Sequence, residues 1–322
     1  MLSRVAETIY WLARYIERAE NTARLLRVNA SLTLDTPKGV TPGWDTLVHI
    51  VGLNEEFDDC CKDASERNVV KFLIGGTGHA GSILSSLAMA RENCRTVREI
   101  MPRSAWEVIN ELHIYARDNM QSGISKKGRD EYLDRIIDGS QQLVGLFGSV
   151  MYRDEAFHFM RIGRNLERAD MTTRILDVRS TDLFDEDQNE LLTLDALQWI
   201  SVLKSLSGYQ TYRRTCQVRV RRAPVLDFLL NDNLFPRSVA HCLISVEESV
   251  GGLGESGPML RRLRAVARLL RQIDTEKLSQ DALHQAIDEI QLGVMDVHQA
   301  LTRIYFLKQY DTSQTQSQSQ SA

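Results

Sequence analysis

The feature that most constrains this chain is a polar helical segment that occurs twice, 150 residues apart. The matching pairs are Arg14/Arg164, Glu17/Glu167, Arg18/Arg168, Ala19/Ala169, Thr22/Thr172, Arg24/Arg174 and Leu26/Leu176. Recurrence of residue type at a fixed offset is typical of an internal duplication. The repeat therefore predicts two related structural units within one chain.

A second set of matches extends the repeat beyond these two segments. At an offset of 156 the matching pairs are Val69/Val225, Phe72/Phe228, Leu73/Leu229, Ser82/Ser238 and Leu87/Leu243. The change of six in the offset requires only a loop insertion. We therefore expect pseudo-repeats over about 1–125 and 130–308, packed as one pseudo-symmetric bundle.

The spacing of apolar residues predicts an all-α fold, a large helical bundle. Between residues 3 and 34 the apolar or small residues follow steps of three and four: Leu2, Val5, Ile9, Leu12, Ile16, Ala19, Ala23 and Leu26. Shorter helices are predicted around 44–52 and 54–73, and further ones follow to residue 308. Pro and Gly are scarce, with 6 and 19 in 322 residues, which favours long helices. We assign 1–310 to the helical domain and predict a disordered Ser/Gln tail over 311–322.

Composition excludes several classes of function. The formal net charge is -4, which gives no indication of nucleic acid or an anionic membrane as a partner. No segment approaches the ~18 apolar residues of a membrane span, and no signal peptide is evident. Five Cys without framework spacing indicate reduced thiols. A cytoplasmic location is expected, whereas the oligomeric state is not indicated.

The main candidate site is the polar face opposite the apolar stripe of the first helix. Three interpretations stay open for it: a structural ion-pair network, a ligand-binding or catalytic cluster, and an ordinary solvated face. Solvated faces diverge quickly after a duplication, so survival of Arg-x-x-Glu-Arg in both copies favours a buried or inter-helix role. The candidate residues are Arg14, Glu17, Arg18, Arg164, Glu167 and Arg168.

Secondary candidates lie on other arginine-rich segments. Arg91, Glu92 and Asn93 echo the first helix on another long helix, and Arg213 and Arg214 form a separate basic cluster. A further cluster covers 261–271. An ordinary solvated basic helix face is the favoured interpretation of the two arginine clusters, and it suits the helix of Arg91 at least as well as an anion site does. The alternative is binding of phosphate, carboxylate or an acidic partner.

The sequence predicts no metal site, no cofactor and no catalytic residue. Glu155 and His158 have the Glu-x-x-His spacing of di-iron bundles, but the first copy has Val5 and Thr8 at the matching positions. No Ser or Cys lies in a strand-to-helix elbow. The glycine-rich loop over 75–81 lacks the Lys-Ser/Thr of a phosphate-binding loop, so a plain inter-helix loop is expected.

Four segments resemble the alpha-E proteins, a bacterial all-helical family named for its Glu-Arg motif. The matching stretches are residues 3–20, 90–93, 163–170 and 235–239. Through the last stretch, Arg237 and Ser238 join the secondary candidates. The family pattern has Asn-Pro before the Ser-Ile of the fourth helix, where this chain has Ala80 and Gly81.

The resemblance implies a context more than a reaction. Alpha-E proteins are encoded beside a circularly permuted ATP-grasp protein and a transglutaminase-like cysteine peptidase. The expected function is therefore a helical partner or scaffold in peptide synthesis or modification. The alternative is an enzyme or substrate-binding module in which the paired Arg/Glu-Arg cluster binds a carboxylate or phosphate group.

Overall fold

The computed structural model describes residues 1–35, 43–180, 188–216, 219–254 and 256–307. Within these ranges the secondary structure is helical without any strand, which confirms the predicted all-α class. The helices are α1 Ser3–Asp35, α2 Asp45–Val51, α3 Asn54–Cys60, α4 Glu66–Gly75, α5 Ile83–Thr96, α6 Arg103–Asp118, α7 Met120–Ile124, α8 Arg129–Val150, α9 Glu155–Ser180, α10 Gln188–Ser205, α11 Tyr209–Thr215, α12 Arg222–Asn231, α13 Val239–Gly251, α14 Gly257–Gln272 and α15 Gln280–Leu301. A π-helical turn, Thr302–Phe306, extends α15. The predicted tail over 311–322 lies outside the described residues.

The two helices that carry the repeated motif, α1 and α9, pack side by side at the centre. They run parallel, because contacts join them at nearly constant offset from one end to the other. The N-terminal amine of Met1 pairs with Glu155 at 2.7 Å, and Arg179 donates to Asn29 Oδ1 at 2.7 Å near the other end. No residue from Val5 to Ala30 is exposed, so α1 is buried all round.

Each central helix also belongs to a ring of four. In the first half α1 packs against α5 and α8, and α6 closes the ring between them. In the second half α9 packs against α13 and α15, and α14 closes that ring. The molecule is thus two four-helix rings joined along α1 and α9. The duplication behind this arrangement remains a prediction from the sequence.

One predicted helix is divided in the structure. The segment 54–73 forms α3 and α4, with an irregular turn between them. In that turn Asp63 Oδ1 accepts hydrogen bonds from the backbone N–H of Ser65 and from Asn68 Nδ2, each at 3.0 Å. An Asp side chain that bonds to nearby backbone competes with helix formation, which accounts for the break.

Two bulk predictions can be compared with the fold. Among the described helices, none is long and apolar enough to cross a membrane. The five Cys are free thiols, of which Cys94 and Cys242 are buried.

Candidate functional site

The centre of the site is Glu167 on α9, which two arginines of α1 bind. Arg14 Nε donates to Glu167 Oε2 at 2.6 Å. Arg18 binds both oxygens, from Nε to Oε1 at 2.6 Å and from Nη2 to Oε2 at 3.2 Å. The Glu167 side chain is only 3% exposed. Such bidentate, charge-assisted contacts are among the strongest polar interactions in proteins.

The matching glutamate on α1, Glu17, is bound by a different set of cations. Arg168 of α9 places Nε 2.9 Å from Oε2, as the repeat leads one to expect. The second cation is Arg237, from the turn before α13, whose Nη1 lies 2.7 Å from Oε1. Arg237 therefore reaches the central helix pair from outside it.

Arg237 also connects Glu17 to a second buried carboxylate on the same helix. Its Nη2 donates to Glu20 Oε1 at 2.8 Å, and its Nη1 donates to Asn21 Oδ1 at 2.8 Å. Arg24 donates to the same Glu20 oxygen from one turn along α1. All these groups are buried. Glu20 and Arg24 are therefore part of an interior network and do not form a solvated pair on an exposed face.

The electrostatics of the two glutamates are alike. Burial alone would raise the pKa of Glu17, but the charges of Arg168 and Arg237 outweigh it and lower the pKa to about 2. For Glu167, burial is likewise outweighed by Arg14 and Arg18, which lower the pKa to about 2. Both carboxylates are therefore ionised at neutral pH.

Arg164 is the member of the predicted cluster for which the described contacts include no direct ion pair. It corresponds to Arg14, yet its Nε is buried without a hydrogen bond, as is the Nε of Arg168, which is held to Glu17 by an ion pair. Burial, together with the charge of Arg168, lowers the pKa of Arg164 to about 10. Its attraction to Glu17 acts over a longer distance than a direct contact.

Arg14, by contrast, is enclosed by aromatic groups and a hydroxyl. Its Nη1 lies 3.0 Å from the hydroxyl oxygen of Tyr10, which is in turn 2.8 Å from His298 Nδ1. The guanidinium lies 5.1 Å from the ring centroid of Trp11, a cation–π distance. These contacts hold Arg14 against Glu167.

The turns that precede α5 and α13 sit on the central helices in the same way. Thr22 Oγ1 donates to the carbonyl of Gly81 at 3.4 Å, and Thr172 Oγ1 donates to the carbonyl of Arg237 at 2.8 Å. The offsets are 150 for the threonines and 156 for the turns. Gly81 and Arg237 therefore occupy matching places in the two halves.

Further contacts of the two turns agree with that correspondence. The N-cap hydrogen bonds match, Ser82–Ser85 with Ser238–His241. The cap hydroxyls also donate to matching carbonyls, Ser82 to Gly76 and Ser238 to Asp232. Rings stack at the same positions, Phe72 on His79 and Phe228 on Phe235. The turns thus share a backbone course and differ in side chains.

A cavity of about 340 Å³ lies beside Glu167, where the first turn carries glycine. Gly81 lines it together with charged side chains from α1, α3 and α9. The charged lining residues are Arg18, Glu56, Glu167, Asp170 and Arg174. This volume is at the lower end of the range of small-molecule pockets. In the second half, the guanidinium of Arg237 lies against Glu17 and Glu20, which correspond to Glu167 and Asp170.

The other predicted candidates have local contacts of their own. Arg91 Nε donates to Asn110 on α6 at 2.7 Å, and Glu92 pairs with Arg95 on the exposed side of α5. Asn93 lies next to them, half-buried. Arg213 and Arg214 are exposed on α11, and Ser238 is the N-cap of α13. Among the described contacts, none joins these residues to Glu17 or Glu167.

One group with metal-ligand chemistry was not anticipated. Asp177, His284 and Asp288 each offer one ligand atom within 4.8 Å of one another. His284 Nδ1 lies 2.6 Å from Asp177, and this contact raises the pKa of the histidine. An exposed His–Asp pair accounts for the arrangement.

Sequence reasoning missed several members of the site. Glu20 and Arg24 are not among the candidates that the sequence gives, and Gly81 is expected in a plain inter-helix loop. The signal available was their recurrence as Asp170 and Arg174 at the same offset of 150. No periodic signal was available for Gly81.

Fold and site together define an all-α protein organised around two parallel helices, each carrying a buried Glu-Arg motif. The chain belongs to the Alpha-E family, described as a predicted alpha-helical domain with a conserved ER motif, whose model matches residues 1–306. This confirms the resemblance seen in the sequence.

Relatives that this chain is similar to include uncharacterised proteins of Mycobacterium bovis and Mycobacterium tuberculosis. Each is 23% identical over 318 residues, covering 90% of this chain and 35% of the relative. The chain thus spans about a third of the length of these curated relatives. No solved structure matches.

Proposed function

We propose that this protein is a non-catalytic helical partner, or scaffold, in a cytoplasmic peptide synthesis or modification system that contains a circularly permuted ATP-grasp protein and a transglutaminase-like peptidase. The observation that carries the non-catalytic part is the enclosure of both motif glutamates by arginines. Each carboxylate has cationic nitrogens on both oxygens, within 2.6–2.9 Å. The motif therefore serves to join α1 to α9.

The pKa values support a structural role over acid–base catalysis. An efficient general acid or base has a pKa near the working pH. The pKa values of Glu17 and Glu167 are lowered to about 2, so neither carboxyl carries a proton at neutral pH, and each is a weak base. A paired and ionised carboxylate instead fixes the geometry of its neighbours.

The length of the relatives supports a role as a partner. In the mycobacterial proteins the matching region makes up 35% of the chain. There, this helical domain is joined to about twice its own length of other polypeptide. A domain that is covalently joined to further polypeptide in relatives is a good candidate to associate with separate proteins elsewhere.

An exposed row of arginines on α14 offers a surface for such an association. Arg261, Arg264, Arg268 and Arg271 follow steps of three and four and are exposed, while Leu263 and Val266 of the same helix are buried. Arginine is enriched at the centres of protein interfaces. We assign this row as the contact surface for the ATP-grasp protein.

The test is association between the full chain and a circularly permuted ATP-grasp protein from the same organism. The two purified proteins are mixed at micromolar concentrations, with ATP, magnesium and acceptor peptide present, and followed by size-exclusion chromatography with light scattering. We expect a complex of defined mass. Failure to associate under all these conditions would overturn the proposal.

Charge reversal on α14 adds a surface-specific measurement. The double variant Arg261→Glu/Arg268→Glu should weaken the complex at least about tenfold, since it reverses the charge that the partner surface would have to complement. The matched control is Arg103→Glu/Arg117→Glu, which makes the same charge change on exposed positions of α6. Equal weakening by both double variants would remove the assignment to α14.

A second candidate function is a binding module, favoured by the cavity of about 340 Å³ beside Glu167. The sequence predicts a carboxylate or phosphate group as the ligand of such a module, bound among the arginines. Arg18 directs Nε and Nη2 at Glu167, and Arg174 directs Nε at Asp170 at 3.0 Å. Because the lining has three carboxylates and two arginines, we take a cation as the better complement to the cavity.

A further inference from the structure

The turns that precede α5 and α13 differ at the residue directly before the N-cap serine, which is Gly81 in one and Arg237 in the other. Gly81 and Arg237 receive the same threonine hydrogen bond and stand directly before equivalent N-cap serines. Arg237 extends a guanidinium onto Glu17 and Glu20. The corresponding carboxylates in the first half are Glu167 and Asp170, and both line the cavity beside Gly81.

We propose that this cavity is a binding site for a guanidinium group, which would lie against Glu167 and Asp170 as that of Arg237 lies against Glu17 and Glu20. The ligand class is an arginine side chain, either of a peptide or of free arginine. This inference goes beyond the proposed function and stands on the geometry alone, so it can be tested without the partner protein.

The charge of the lining suits a cation. Three carboxylates line the cavity, and two arginines face them. The ring of His79, also in the lining, is neutral at pH 7, because burial lowers its pKa below the usual 6.5. The lining itself has a net charge of -1, and Arg14, which binds Glu167 at 2.6 Å, lies outside the lining.

The carboxylates retain capacity for the additional donors. Glu167 accepts three N–H bonds, whereas a carboxylate offers about four acceptor sites. Asp170 accepts from Arg174 through Oδ2 alone among the described contacts. In the second half, a single oxygen of Glu20 accepts from both Arg24 and Arg237, which shows that such sharing fits this geometry.

Part of the cavity lining is exposed loop. Gly78 and Ala80 line the cavity and are exposed. Exposed Glu56 adds a negative charge to the lining. A guanidinium on a flexible side chain can therefore enter from solvent with its stem along the loop.

The binding measurement uses N-acetyl-arginine amide with the full chain, followed by isothermal titration calorimetry. We expect saturable binding with a dissociation constant of about 1 mM or tighter. The matched control ligand is N-acetyl-citrulline amide, which has similar length and an uncharged ureido group, and it should not bind measurably. Inorganic phosphate tests the anion alternative and should not compete. Comparison with free L-arginine identifies the source, since the entrance carboxylate Glu56 disfavours a free carboxylate.

The decisive variant is Gly81→Arg, which supplies the guanidinium from the chain itself. It should weaken binding of the amide at least about tenfold and raise the Tm by about 3 °C relative to Gly81→Ala. Gly81→Ala is the matched control, because in both variants the new Cβ would approach Leu53 Cδ1 at 2.4 Å and require that side chain to rotate. The alanine variant should keep binding the amide.

Asp170→Asn keeps the proposal testable if Gly81→Arg does not fold. Loss of one carboxylate charge should weaken binding about tenfold while the chain stays folded. Equal binding of the citrulline compound, competition by phosphate, or no saturable binding up to about 10 mM would each overturn the assignment. Unchanged affinity in both Gly81→Arg and Asp170→Asn would overturn it as well.

Discussion

The carboxylates of Glu17 and Glu167 hold matching positions on parallel helices, yet different arginines neutralise them. Glu167 takes both cations from the opposite helix, Arg14 and Arg18. Glu17 takes one from the opposite helix, Arg168, and the other from a loop, Arg237. The same motif is thus completed from within the helix pair on one side and from outside it on the other.

The difference has a cost and a consequence. Arg164 Nε is buried without a hydrogen bond, whereas Nε of its counterpart Arg14 donates to Glu167. Because the first turn carries Gly81, a cavity remains beside Glu167. The two sites therefore share the motif on the central helices and differ in the turn residue that precedes the N-cap serine, Gly81 or Arg237.

The largest effect should follow from Arg237→Ala. This change leaves Glu17 with one direct cation, Arg168, and Glu20 with one, Arg24, besides the neutral donor Gln141 Nε2, all inside the protein. Removing one partner of a buried ion pair costs about 3–5 kcal/mol, so the free energy of unfolding should fall by that amount. Urea unfolding measures it.

The control for this prediction is Arg103→Ala, whose side chain is 87% exposed and pairs with Glu107. Its effect should stay within about 0.5 kcal/mol. A loss below about 1 kcal/mol for Arg237→Ala would show that the loop arginine is not needed to neutralise Glu17.

The contribution of Arg237 also marks the limit of what the sequence could predict. The helical spacing of α1 was sufficient to predict its length and apolar stripe, and recurrence at an offset of 150 was sufficient to predict that Glu17 and Glu167 share a role. Both are local or periodic signals. Contact between Arg237 and Glu20, by contrast, joins residues 217 positions apart, and no pattern encodes it.

Two further features depend on tertiary packing alone. The parallel course of α1 and α9 follows from how the two rings share a face, and the apolar pattern of either helix is compatible with both directions. The cavity beside Gly81 is formed by side chains of α1, α3 and α9 that surround a residue without a side chain, and only the fold brings them together. Sequence reasoning therefore identified the motif but not the difference between its two copies.

Acidification should lower the free energy of unfolding through both Glu17 and Glu167. For each glutamate the loss should be somewhat smaller than that for Arg237→Ala. The folded-state pKa values of Glu17 and Glu167 are about 2, below the ordinary 4.5. A lowered folded pKa contributes stability above the unfolded value, and that stability is lost as pH falls toward the folded value. Between pH 4.5 and 2 each glutamate should therefore lose about 3 kcal/mol of stabilisation.

Urea unfolding between pH 6 and pH 3 measures this dependence. In Glu167→Gln the loss of unfolding free energy over this range should be smaller by the contribution of one glutamate. Glu107→Gln, at an exposed position of α6, serves as the control and should leave the pH dependence as in the wild type. If Glu167→Gln and the wild type lose stability in parallel, the arginines do not hold Glu167 ionised.

The smallest effect concerns the asymmetry between Arg14 and Arg164. Arg14→Met removes a 2.6 Å contact to Glu167 and the donor to Tyr10, and should cost about 2 kcal/mol. Arg164→Met replaces a guanidinium whose Nε has no hydrogen bond and whose pKa burial lowers to about 10. That change should cost within about 0.5 kcal/mol or stabilise the protein slightly. Urea unfolding of both variants gives the difference.

Combining Arg14→Met with Gly81→Arg tests whether one loop residue accounts for the asymmetry. In the wild type, Arg14 supplies the cation that Arg237 supplies on the other side. If the arginine introduced at position 81 takes that place, Arg14→Met should cost about 1 kcal/mol less in the Gly81→Arg background than alone, a non-additivity expected only for groups that share a partner. Strict additivity, or an equal cost for Arg14→Met and Arg164→Met, would mean that the two halves differ for a reason other than the residue before the N-cap serine.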